Sequence, residues 1–348
     1  LKNVCIVGYG AIGPIHAAAV SSCPDAQLYA VCDNNFERAE KCREKYGAAV
    51  YTDFNEMLKD KCIDSVHICT PHYLHAEMTE KAIKADKEVV LEKPATISSE
   101  EFDRLLSIKT DRKICVMLQN RTNKSLERLH NIVVNNTTDG KILGICGFLT
   151  WQRTPEYYAS DEWRGKWATE GGGLLINQAV HTLDIISWLG GGASSIKGSI
   201  STKKLADCIE VEDTADALIY LNNGVSGMFY GTNCYSSNSP MRIEVSYEKA
   251  LYRYADERLY KITESSAEVI ADDKNNSTGR RYWGSGHSNV INNFYSSLSG
   301  KGGSFTTLED AENAMRLLFA FYESARHNGI EIKLSNCKTV VLQLNHHR

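Results

Sequence analysis

Residues 4–20 read VCIVGYGAIGPIHAAAV. An apolar run turns at Gly8-Tyr9-Gly10-Ala11-Ile12-Gly13 into a helical pattern, the GxGxxG of a dinucleotide-binding strand, turn and helix. Gly8 allows the tight turn, Gly10 lets the backbone approach a pyrophosphate, and Gly13 lets the helix pack on the strand. Ile12 belongs to the same cradle, and Pro14 is tolerated near a helix start. The second strand ends at Asp33, twenty residues beyond Gly13. A carboxylate there accepts from ribose hydroxyls and repels a 2′-phosphate, so the expected cofactor is NAD, with NADP disfavoured. Arg38 is placed at the adenine end, stacking on the base or meeting a phosphate. The competing reading is a glycine turn in some other α/β protein, with Asp33 capping the next segment.

Outward from this motif, strand patterns at 4–8, 27–33, 48–53, 65–71, 87–94 and 114–120 alternate with helical stretches such as 36–47. Continuous apolar strands in that rhythm predict a parallel sheet covered on both faces. Past residue 120 the texture changes. A helix is predicted over 124–136 and a strand over 144–153. Two β-rich runs in 214–235 flank Asn222-Asn223-Gly224, a hairpin signal. A further β-rich run covers 242–262, with helices near 173–189, 287–299 and 308–326. The polar stretch 271–281 reads as a surface loop. The expected organisation is an α/β chain of two domains. Residues 1–120 form a Rossmann dinucleotide-binding domain, and 121–348 an α+β domain with a large, mostly antiparallel open sheet that binds substrate and mediates oligomerisation.

Composition excludes several classes. The 348 residues carry 39 basic and 43 acidic side chains, a net charge of −4 with no basic block, so no nucleic-acid partner is expected. No apolar run approaches the ~20 residues that span a membrane. The N-terminus enters a strand pattern directly, so no signal peptide is expected. Eleven cysteines form no CxxC pair, and Cys5, Cys32, Cys69 and Cys115 sit in apolar strand-like runs. This predicts a reduced, cytoplasmic protein without a disulfide framework. No Cys or His cluster has ligand spacing, so no metal is expected.

Two further motifs carry chemistry. The fifth strand ends as VVLEKPAT, which places Glu92 and Lys93 beyond a carboxyl end, where ligands of open α/β sheets sit. Taken alone, an exposed Glu-Lys before a turn proline explains the triplet equally well. Residues 170–184 read EGGGLLINQAVHTLD. At 100° per residue Asn177, His181 and Asp184 fall within roughly 60° of one another, opposite a broad apolar sector. His181 is then a catalytic group or a satisfied core histidine; Asp184 reads as structural. Upstream, Arg153, Tyr157, Trp163 and Arg164 line a pocket mouth suited to a polyhydroxylated ligand, or form an aromatic packing loop. His287 is a further pocket candidate. Thr70, Pro71, His72 and His75 follow the fourth strand and Asn120 ends the sixth, all beside the cofactor.

GYGAIGPIH, CTPHYLHAEM, EKP and EGGGLLINQAVHTLD, in that order and at these spacings, resemble the Gfo/Idh/MocA family. The resemblance covers nearly the whole chain, including 284–325. It implies an NAD-dependent oxidoreductase of sugars, polyols or their derivatives, with Lys93 matching the family's catalytic lysine and His181 its catalytic histidine. Many members have Asp at position 177; here it is Asn, which puts an Asp–His dyad in doubt. The resemblance also implies a cis Lys93–Pro94 bond and a homodimer or homotetramer. Alcohol oxidation needs a hydride acceptor and a base. NAD supplies the first; His181, with an unperturbed pKa near ~6.5, is the candidate base, and Lys93 bonds the same oxygen, stabilising the alkoxide or donating the proton in the reductive direction, so that either of the two can carry the proton. Two other classes remain open: a glycosidase or epimerase-like enzyme using transient oxidation, and a non-catalytic sensor of the same fold.

Overall fold

The structure, a computed structural model, describes residues 1–135, 138–273 and 286–337. Among these, six strands form a parallel sheet: β1 (Lys2–Val7), β2 (Ala26–Cys32), β3 (Ala49–Tyr51), β4 (Ser65–Ile68), β5 (Glu88–Leu91) and β6 (Ile114–Val116), in the order β3-β2-β1-β4-β5-β6. That order puts a topological switch point between β1 and β4, where an open sheet leaves a crevice at its carboxyl end. Helices α1 (Gly13–Ser21), α2 (Phe36–Tyr46), α3 (Phe54–Leu58), α4 (His75–Lys84) and α5 (Ser99–Leu106) connect these strands, with α6 (Lys124–Asn135) beyond β6. Asn35, Asp53 and Ser98 cap α2, α3 and α5 by accepting from backbone N–H groups in the first turn. The strands end sooner than the apolar runs suggest. After Ile68, Leu91 and Val116 the chain leaves the ladder and turns into the cleft, and Gln119–Thr122 forms a 3-10 turn.

The second sheet has nine strands among the described residues, in the order β14-β13-β12-β11-β7-β10-β9-β8-β15. They are β7 (Ile142–Gln152), β8 (Ala193–Ser201), β9 (Thr214–Leu221), β10 (Ser226–Thr232), β11 (Cys234–Tyr247), β12 (Leu251–Ala255), β13 (Arg258–Ile262), β14 (Ala267–Asp272) and β15 (Ile332–Lys333). All pairs are antiparallel except β10 with β7. The Asn222-Asn223-Gly224 hairpin joins β9 to β10, with Gly224 at φ +83°. Short α7 (Pro155–Ala159) follows β7. Helices α8 (Val180–Leu189) and α10 (Leu308–Arg326) pack on one face of the sheet. Their apolar residues join those of the first domain in a continuous core. Helix α9 (Gly286–Leu298) instead returns to the first domain, where Val290, Ile291, Phe294 and Tyr295 pack with Val4, Ile6 and Ala17.

Cys5, Cys32, Cys69 and Cys115 are free and buried, and burial raises each thiol's pKa. Among the described residues no helix is long and apolar enough to cross a membrane. From residue 274 onward the polar stretch 271–281 lies outside the described residues.

Candidate active site

One cleft of about 950 Å³ runs from the glycine turn to the start of α8. Every site residue named above lines it except Gly13, which lies beneath the turn. Gly8 has φ +89°, and a Cβ there would stand 2.7 Å from the Cys69 carbonyl oxygen; a Cβ on Gly13 would run into the Gly8 carbonyl oxygen. At Gly10 a Cβ would meet nothing within 4 Å. The start of α1 has no side-chain cap. Open space beside uncapped helix N–H groups fits the pyrophosphate of a dinucleotide. Asp33 accepts from Tyr9 N–H at 2.7 Å and from Asn35 N–H at 2.8 Å, so it braces the turn and keeps lone pairs for a ribose. Arg38 is exposed at this end of the cleft.

At the other end β5 delivers Glu92 and Lys93, and the Lys93–Pro94 bond is cis, as the resemblance implied. Glu92 is buried. His16 Nε2 stands 2.8 Å and His287 Nε2 3.6 Å from its Oε1. Burial alone would raise this carboxyl; the two imidazoles outweigh it and hold it well below the usual carboxylate range. Behind His16 a chain of contacts continues: His16 Nδ1 to His67 Nδ1 at 2.9 Å, His67 Nε2 to Tyr295 OH at 2.8 Å, and Tyr295 OH to Ser65 Oγ at 2.6 Å. Burial lowers both histidines, with Glu92 opposing the shift, and so favours their neutral forms. One set of tautomers satisfies every contact, with each donor pointing toward Glu92. Glu92 is therefore held from behind, and its charge bears on Lys93.

His16, Glu92 and His287 bring three ligand-type atoms within 4.8 Å of one another. Sequence spacing could not reveal this group, because its members come from α1, the residue after β5, and α9. A shared cation would have to displace the His16–Glu92 hydrogen bond.

Lys93 Nζ donates to the Asn177 carbonyl at 2.8 Å and lies 3.5 Å from Asn177 Oδ1. Burial lowers the lysine's pKa, Glu92 and Glu170 oppose the shift, and Arg164 and Arg153 add to it. His181 is pushed down to about 3, first by burial and then by the charge of Lys93. The imidazole is thus neutral at ordinary pH, its pKa well below the unperturbed value near ~6.5. Its Nε2 is 3.4 Å from Gln119 Nε2, and its Nδ1 has no partner among the described residues.

The helical wheel drawn through residues 170–184 also needs correction. Leu175–Ala179 form a π-helical turn before α8, so the spacing is not 100° throughout. Asn177, His181 and Asp184 end on three different partners. Among the described residues no hydrogen bond joins Asn177 to His181; the amide donates to Glu170 Oε1 instead. Asp184 is fully buried and receives Arg121 through Nε and Nη2 at 2.6–3.2 Å.

The mouth is a stack of cations and rings. The Arg153 guanidinium lies over Trp151 and Tyr157 at 4.5 and 4.7 Å, and that of Arg164 over Tyr157 and Trp163 at 4.6 and 4.5 Å. His75 sits in the wall with both ring nitrogens on carbonyls, of Pro94 at 2.7 Å and Thr70 at 2.9 Å; it shapes the cleft rather than offering it a free polar atom. Thr70, Pro71 and Asn120 lie on the walls between the two ends. Sequence reading missed His16, Gln119, Arg121 and Glu170. Glu170 directly precedes the three glycines and was the most visible of them.

The family model described as "Oxidoreductase family, NAD-binding Rossmann fold" matches residues 2–120, and that of the GFO/IDH/MocA C-terminal domain matches 132–253. The chain is 26% identical over 288 residues to a myo-inositol 2-dehydrogenase of Thermotoga maritima, covering 80% of this chain and 81% of that one. It is 30% identical over 194 residues to a D-glucoside 3-dehydrogenase of Escherichia coli, covering 52% of each. The WlbA dehydrogenase of Bordetella pertussis, solved with NADH and UDP-GlcNAcA, superposes with a TM-score of 0.82 at 26% identity, over 95% of this chain and 98% of that one.

Proposed function

The chain belongs to the GFO/IDH/MocA family of oxidoreductases, and from that premise we propose that it oxidises a secondary hydroxyl of a sugar, polyol or sugar derivative with NAD. The observation that carries this is that Lys93 and His181 both line the cleft that begins at the glycine turn. Relatives named for myo-inositol and D-glucosides, and a neighbour holding NADH and UDP-GlcNAcA, support the substrate class. Bound NAD supplies the hydride acceptor. Lys93, whose pKa is lowered, takes the hydroxyl proton as the neutral amine. His181 stays neutral and orients the same oxygen, because a base of pKa about 3 is too weak to hold the proton. Arg153, Tyr157, Trp163, Arg164 and His287 surround the remainder of the substrate.

The test is a screen of inositols, free sugars, glycosides and sugar acids with NAD, read at the NADH band. Net NADH formation with one class supports the assignment. Turnover without net NADH would instead indicate transient oxidation. Calorimetric titration should give tighter binding of NAD than of NADP, with the gap narrowed in Asp33→Ala; equal binding by the native chain refutes the preference.

The second sheet supports a homodimer or homotetramer. The face away from α8 and α10, which no described helix covers, carries Leu218, Met228 and Cys146 in one cross-strand row, and Tyr230 and Phe148 in the next. Leu218 and Met228 are 41% and 44% exposed. An apolar strip of this kind on an open sheet favours a self-complementary contact. Sedimentation at micromolar concentration should show a dimer or larger, and a monomer rejects the idea.

A further inference from the structure

The missing carboxylate at position 177 has a counterpart one amide away. Glu170 is fully buried at the entrance to the glycine run. Its Oε2 accepts from Gly165 N–H and its Oε1 from Asn177 Nδ2, each at 2.5 Å. Gly171, at φ +84°, takes the chain through a left-handed turn between the two residues; a Cβ there would stand 2.6 Å from Ile97 Cβ. Burial raises the Glu170 carboxyl, and the Gly165 N–H, the Asn177 amide, Arg164 and Lys93 oppose that rise; ionised, Glu170 has only acceptors to offer. The Asn177 amide must therefore turn its NH₂ toward Glu170 and its oxygen away. That oxygen lies 3.5 Å from Lys93 Nζ, beside the Asn177 backbone carbonyl that accepts from the same nitrogen at 2.8 Å. Lys93 thus faces two oxygens of one residue. The opposite amide orientation would set an NH₂ against the ammonium.

We propose that Glu170 is a positioning residue for Lys93, acting through the Asn177 side-chain amide. It does two things at once. It fixes the amide so that its oxygen faces the lysine, and its negative charge partly offsets the cost of holding a cation among Arg153, Arg164 and the low-dielectric wall. The lysine's lowered pKa reflects that same competition, with burial first and Glu92 and Glu170 opposing it. With two oxygens facing Nζ, its remaining direction is set by geometry and is left for the substrate: the lone pair of the neutral amine toward the hydroxyl proton, and the third N–H of the ammonium once that proton is taken. An Asp at 177 would contact the lysine directly. Here the same carboxylate chemistry reaches it through an amide, which explains why Asn at 177 is compatible with a working lysine. The proposal rests on the reading of Lys93 as the proton-carrying group.

The experiment measures Lys93 without needing a substrate. The protein is labelled with trace acetic anhydride across pH 6–11, and the rate at Lys93 is followed by peptide mass spectrometry. In Glu170→Gln the midpoint for Lys93 should fall by about 0.5–1 pH unit, because an opposing charge is lost. The double variant E170Q/N177D, which moves the carboxylate next to the lysine, should bring it back to or above the native value. Asn177→Leu keeps Glu170 and cuts the link. It should shift the midpoint in the same direction, and it serves alone if E170Q does not fold. Superposable Lys93 profiles for the native protein and either single variant overturn the proposal. Turnover separates the two levels of argument. If K93A keeps its activity, the role given to Lys93 fails; if K93A is inactive but the E170Q midpoint is unmoved, only the role of Glu170 fails.

Discussion

Lys93→Ala and His181→Ala are each expected to lower kcat by at least ~10²-fold, the lower end of what acid–base groups contribute. NAD affinity should change by no more than a few-fold, because the pyrophosphate cradle and Asp33 lie at the other end of the cleft. The double variant should lose less than the product of the two, since groups acting on one oxygen are not additive. The pH dependence separates their roles. A lysine acting as neutral amine makes oxidation rise with pH through the lysine's pKa, which burial sets below the ordinary 10.5. His181, pushed to about 3, should leave no limb between pH 5 and 8. Stopped-flow rates with the best substrate from the screen decide this. A limb near pH 6.5 that vanishes in H181A would return the proton to the histidine. Near-normal turnover in H181A would make it structural.

The largest effect on stability is expected at Arg121. Its guanidinium meets the fully buried carboxylate of Asp184 through two nitrogens and also donates to the Asp310 carbonyl at 3.2 Å. The pair thus ties the 3-10 turn after β6 to α8 and the first turn of α10. Arg121→Ala leaves Asp184 buried and uncompensated, which costs about 3–5 kcal/mol. Arg121→Met with Asp184→Leu should recover most of that, because desolvation of both charges is then avoided. Burial raises the Asp184 pKa and Arg121 opposes the rise. Without the arginine, protonated Asp184 is tolerated at low pH, and the deficit grows as pH climbs through its raised value. Thermal unfolding of native protein and R121A at pH 5 and pH 8 should therefore diverge more at pH 8. A constant difference argues that the arginine acts through packing alone.

The GxGxxG turn, its helix, Asp33, the hairpin at Asn222-Asn223-Gly224 and the change from parallel to antiparallel texture were all legible in the sequence. Each depends on neighbours within a few residues or on a short periodic pattern, and local sterics decide both. EKP and the glycine-flanked histidine could be placed at strand and helix ends for the same reason. What those side chains do was not legible. The π turn at Leu175–Ala179 breaks the helical period, so a wheel that groups Asn177, His181 and Asp184 on one stripe does not give their partners, although Asp184 is structural as the sequence suggested. Asn177 answers to Glu170 and Lys93, Asp184 to Arg121, and His181 to the field of the lysine. The buried line from Ser65 through Tyr295, His67 and His16 to Glu92 joins β4, α9, α1 and the end of β5. Sequence alone therefore determined the architecture and the position of the cleft. The tertiary structure alone decided protonation and partnership, because these depend on burial and on charges brought together by elements far apart in the chain, and no local period records either.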